Sequence, residues 1–160
     1  MEFNFLAILI AALSTLFIGF IWYSDKVFGT VWMREAGLNK EQMENGNRIK
    51  ILILSFLYSF FLAFMMQFIV IHQFGAMGMI GGDPTKALPS YTNFMADYGI
   101  AFRSFKHGAF HGFMAGVLFA LPIVAINSLF ERKSWKYIAI HAGYWIITLM
   151  VMGAIVCGWV

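Results

Sequence analysis

Apolar positions along this chain gather into four long blocks divided by three shorter, more polar stretches. The blocks Phe3–Tyr23, Ile51–Phe74, Gly108–Phe130 and Tyr137–Val160 each run without Asp, Glu, Lys or Arg. About 20 helical residues cross the roughly 30 Å hydrocarbon core of a bilayer. Lipid offers no water to backbone N–H and C=O groups, so runs of this length must close their own hydrogen bonds as helices. The pattern predicts an all-α integral membrane bundle of four transmembrane helices, forming one domain over residues 1–160. No basic segment precedes the first block and no small-residue cleavage pattern follows it, so it reads as a retained helix rather than a signal peptide.

The polar stretches carry their own periodicities. In loop 1, Val27, Phe28, Val31 and Trp32 form an apolar stripe if wound as a helix, and Trp22-Tyr23 stands where amphipathic rings collect at a membrane interface. Asn39 and Gln42 have the spacing of a capping box, opening a short polar helix that Gly46 can end. In loop 2, GAMGMIGGDP carries too many glycines for regular structure to be expected. Past Pro89, the side chains Tyr91, Phe94, Met95, Tyr98, Phe102 and Phe105 recur at helical spacing, which predicts a helix lying flat on the outer leaflet. Short interfacial helices are thus expected in both loops.

Composition sharpens this picture. The chain is 61% hydrophobic and 12% charged, with a mean hydropathy of +0.75, against about 45–50% apolar and about 25% charged in soluble domains. That excludes an ordinary soluble fold. The net charge of +3 comes from few residues and bears on orientation rather than on nucleic acid. Lys26, Arg34, Lys40, Arg48 and Lys50 lie in loop 1 and Arg132, Lys133 and Lys136 in loop 3, whereas loop 2 offers only Lys86, Arg103 and Lys106. This asymmetry places loops 1 and 3 in the cytoplasm and both termini outward. The single cysteine, Cys157, excludes an internal disulfide.

Small or polar residues recur every fourth position in three of the blocks. They are Ala7, Ala11, Thr15 and Gly19; Ser55, Ser59, Ala63 and Gln67; and Gly108, Gly112, Gly116 and Ala120. The fourth block is less regular, with Ala139/Gly143 and Ala154/Gly158. Helices in lipid gain little by burying apolar surface, so they associate through close backbone approach and interhelical hydrogen bonds, which such rows permit. Pro122 is expected to kink the third helix, because it has no N–H and its ring crowds the preceding turn.

Candidate chemistry is confined to a few side chains. His107 and His111 stand four residues apart at the head of the third block, and His72 ends the second, all toward the same side. Imidazole suits zinc or copper, and an i, i+4 pair can chelate from one helix face, so His72, His107 and His111 form a candidate metal set, extendable to Cys157 or Asp97. The plainer reading leaves His107 at the headgroups and lets His111 hydrogen-bond a neighbouring helix; no HExxH or CxxC motif raises the metal reading above it.

Two stretches carry a family resemblance, LAILIAALSTLFIGFIWYSDKVFGTVWMREAGL and LFERKSWKYIAIHAGYWIITLMVMGAI. Through Trp22-Tyr23-Ser24, Phe28-Gly29, Trp32-Met33, Asn127, Phe130-Glu131-Arg132 and Ala142-Gly143-Tyr144 they resemble the family catalogued as domain of unknown function 1761, small four-helix bacterial membrane proteins. The likeness covers roughly residues 5–45 and 127–157, and the middle only by helix placement. It implies a four-helix fold in a bacterial inner (cytoplasmic) membrane and no activity. The family pattern has proline where Asp25 stands and histidine where Trp145 stands, so it passes no role to His141.

The leading functional reading is a non-enzymatic homo-oligomer in the lipid bilayer, with no cofactor. It would serve as a conduit for an ion or small solute, with Gln67, His111 and Asn127 as its polar lining. One alternative is a membrane-embedded metal-binding protein or metalloenzyme using the outer histidines. The other is an accessory subunit that partners a larger membrane complex.

Overall fold

Four helices of the computed structural model, which describes residues 3–160, are long and apolar enough to cross a membrane. They are α1 (Phe5–Trp22), α4 (Arg48–Val70), the composite third crossing Phe105–Phe130 and α9 (Trp135–Gly158). Between them lie α2 (Gly29–Ala36), α3 (Lys40–Glu44), α5 (Gln73–Met79), a 3₁₀ turn (Pro84–Lys86) and α6 (Pro89–Tyr98). No strand occurs among the described residues. Each crossing opens on a polar side chain that accepts a backbone N–H its first turn cannot satisfy: Asn4 from Ala7, Asn47 from Lys50, Ser104 from His107 and Ser134 from Tyr137. Asn39 and Gln42 form the full capping box at α3.

The centre of the bundle is α9. Half of its apolar window is buried inside the protein, against 17–28% for the other three crossings, so it is the helix on which the others pack. Backbone contact explains how closely they do so. A Cβ added to Gly108 would overlap the Gly153 carbonyl and lie 2.5 Å from Cys157 Cβ; one on Gly112 would overlap the Leu149 carbonyl; one on Gly116 would come within 2.6 Å of Ile146 Cα. Ala7, Ala11 and Thr15 on α1 and Ser59 and Ala63 on α4 are buried as well, while Gly19, Ser55 and Ala120 are half-buried. The fourfold spacing did not mark Gly153, whose added Cβ would strike Gly108.

The third crossing departs from a uniform helix where Pro122 intervenes. A π-helical turn, Gly116–Ala120, separates α7 (Phe105–Ala115) from α8 (Leu121–Phe130). Pro122 has no N–H to return to the carbonyl four residues back, and widening the preceding turn accommodates its ring.

Loop 2 is more ordered than its glycines suggest. At Ile71 the backbone is extended (φ −111, ψ 99), which ends α4, and the chain turns into α5. Buried Gln73 anchors that helix, its Nε2 donating to Tyr98 O at 2.8 Å and Ala101 O at 2.9 Å. Two tertiary bonds offset the roughly 1 kcal/mol that each helical glycine costs. Conversely, α6 stops at Tyr98, and the left-handed backbone of Phe102 (φ 62) takes Phe102 and Phe105 out of the expected flat helix.

Loop 1 is clamped to loop 3. Ser134 Oγ donates to Glu35 at 2.5 Å and Lys133 Nζ to the Ala36 carbonyl at 3.2 Å. The Ser134 and Arg34 bonds hold the Glu35 carboxyl below its ordinary range. A depressed carboxylate adds stability above the unfolded value of 4.5 and loses it as pH falls through the folded one. The hydrogen-exchange protection factors of α2 should therefore fall below pH 4.5 in the wild type, whereas Glu35→Gln should show low protection already at neutral pH and little further change on acidification.

Candidate metal centre

The break at Ile71 and the cap at Ser104 together determine where three imidazoles meet. The first leaves His72 at the end of α4, and the second starts α7 so that His107 and His111 stack one turn apart on one face. Ring centroids lie 4.9 Å apart for His72–His107, 5.0 Å for His72–His111 and 4.4 Å for His107–His111. His72 Nε2 and His107 Nε2 are 3.0 Å apart, and one ring nitrogen from each of the three lies within 4.8 Å of the others. Ligands about 2.0–2.1 Å from a tetrahedral zinc stand roughly 3.3 Å from one another, so small ring rotations suffice to bring all three onto one ion. His72 is exposed and the other two are half-buried, which leaves an approach open.

Packing around the rings holds them in place. Phe102 lies 5.2 Å from His107 and Phe110 5.5 Å from His111, centroid to centroid. Cys157 is buried outside the cluster; its Sγ lies 3.4 Å from Val70 O and 3.5 Å from Phe102 O, and the one thiol hydrogen shared between them ties the end of α4 to the turn before α7. Arg103 Nε donates to the Cys157 carbonyl at 2.9 Å, joining the same turn to α9. The thiol thus positions the scaffold, and Asp97 is exposed on α6, outside the three-histidine group. Three neutral imidazoles without a carboxylate match the preferences of zinc or copper rather than magnesium or calcium.

The residues read as a polar lining are not brought together in one site. Gln67 is buried in the core, its Nε2 without a hydrogen-bond partner among the described residues; His111 belongs to the histidine cluster; Asn127 is exposed near the end of α8.

Residues 6–157 match the model of a family described as Protein of unknown function (DUF1761). The chain belongs to this family. No curated protein and no solved structure matches it. The match takes in all three histidines of this DUF1761 protein, together with the middle of the chain, and its four apolar crossings make it a membrane protein.

The DUF1761 chain holds a second polar constellation at the loop 1 end, centred on His141. Trp32 Nε1 donates to His141 Nε2 at 3.2 Å, and His141 Nδ1 lies 3.0 Å from Tyr23 Oη. Tyr137 packs on the imidazole at 4.2 Å, Trp22 Nε1 donates to the Ile140 carbonyl at 3.0 Å, and Tyr144 Oη donates to the Thr15 carbonyl at 3.1 Å. Trp22, Tyr23 and Trp32 are conspicuous in the sequence, but nothing in their spacing pairs them with a histidine more than 100 residues away.

Proposed function

We propose that this DUF1761 protein binds a transition-metal ion, zinc or copper, through His72, His107 and His111. The observation that carries the reading is the convergence of three ring nitrogens within 4.8 Å, from two separate crossings, without a competing carboxylate. A three-imidazole set leaves a fourth position for water or an incoming ligand. The excess of Lys and Arg in loops 1 and 3 supports a cytoplasmic place for those loops, so the histidines face the opposite side of a bacterial inner membrane. The role is therefore capture of a metal ion at the outer face.

Protein loaded with zinc and then desalted in mild detergent should retain about one ion per chain. His107→Ala/His111→Ala should retain almost none while eluting at the wild-type volume. Only neutral imidazole ligates, so affinity should fall as the pH is lowered and protons compete with the ion for the ring nitrogens. Metal-free wild type, or equal retention by the double variant, would remove the reading.

A further inference from the structure

At the other end of the bundle, α1, α4 and α9 flank an open cavity of about 500 Å³ whose walls include Thr15, Tyr23, Ser55, Tyr58, Tyr144 and Trp145. Tyr58 is 65% exposed at its edge, on a face that meets lipid, so an apolar molecule can enter sideways from the bilayer. Tyr23 stands in the wall of this cavity, and His141 decides the proton arrangement at its hydroxyl. An indole nitrogen only donates, so Trp32 obliges His141 Nε2 to act as the acceptor. A neutral imidazole then carries its proton on Nδ1 and donates it to Tyr23 Oη. The hydroxyl hydrogen of Tyr23 is consequently free of His141, and accepting one bond makes the same hydroxyl a stronger donor. Around it the rings of Phe20, Tyr58, Tyr144 and Trp145 stand beside Leu16, Ile51 and Leu52, which suits a flat ring that carries an apolar tail.

We propose that this cavity binds a lipid-soluble quinone, with one ring carbonyl accepting the Tyr23 hydroxyl hydrogen and the ring lying among Tyr58, Tyr144 and Trp145. A quinone supplies what the site lacks: an uncharged acceptor on a planar apolar body. The cavity lies at the loop 1 end and uses none of the three metal-set histidines, so this proposal stands apart from the metal reading.

The test titrates the detergent-solubilised full chain with decyl-benzoquinone and follows tryptophan fluorescence, Trp145 being in the wall. Decylbenzene, which has the ring and tail without oxygens, competes in a parallel series. Saturable quenching is expected at one quinone per chain, with decylbenzene at least about tenfold weaker as a competitor, the loss of roughly one hydrogen bond. Tyr23→Phe should weaken binding by a similar factor, and Ser55→Leu, which fills the cavity, should abolish it. Quenching that rises only by partitioning, or competition by decylbenzene equal to that of the quinone, would overturn the proposal even if either variant failed to fold. So would native mass spectrometry showing a phospholipid that the quinone cannot displace.

Discussion

Gly112→Val is expected to unfold the bundle or to lower its stability by about 3 kcal/mol or more. The Cβ alone would overlap the Leu149 carbonyl and sit 2.8 Å from Met150 Cα, and both obstacles are backbone. No rotamer change relieves such a clash. The helices must separate, and the neighbouring approaches at Gly108 and Gly116 are lost with the one at Gly112. Overpacking a well-filled core usually costs about 1–3 kcal/mol, with larger values where no side chain can yield. Gly78→Ala is the matched control, since a Cβ there meets nothing within 4 Å; it should change stability by less than about 1 kcal/mol, and in the stabilising direction. Thermal unfolding in detergent would compare the two. Equal midpoints would mean that backbone contact along this seam does not hold the bundle together.

That seam also shows where sequence reasoning succeeds and where it stops. Charge-free length marks the four crossings, and fourfold glycine spacing marks the face of α7 that meets α9, because both are properties of a single segment. The capping box of Asn39 and Gln42 is local in the same sense. What is not legible depends on the relation between segments. Chain order puts His72 at the same end as His107 and His111 and makes the three a candidate set, but their contact depends on Ile71 breaking α4 at one particular residue. Gly75 and Gly78 argue against a helix until the bonds from Gln73 to Tyr98 and Ala101 exist to anchor it. Cys157 has the chemistry of a ligand, and only its burial beneath Val70 and Phe102 turns it into a scaffold.

His141 is the strongest instance, and replacing it should have the second-largest effect. It joins α9 to α2 through Trp32 and to the end of α1 through Tyr23, so one ring ties loop 1 to the transmembrane bundle. His141→Ala removes the acceptor for the Trp32 indole N–H, the donor to Tyr23 Oη, and the surface on which Tyr137 packs. Leaving partly buried polar groups unpaired costs about 1–3 kcal/mol each, which sets the expected loss at roughly 2–4 kcal/mol. A double-mutant cycle separates this network from simple loss of volume. If the Trp32–His141 bond stabilises the fold, Trp32→Phe in the His141→Ala background should cost about 1 kcal/mol less than in the wild type, since the indole has already lost its acceptor. Hydrogen exchange should then place the damage in α2, which keeps the clamp from Glu35 and Ala36 to loop 3 and the packing of Trp32 on Tyr23. Strict additivity of the two substitutions, with unchanged exchange in α2, would show that loop 1 is held by packing rather than by this histidine.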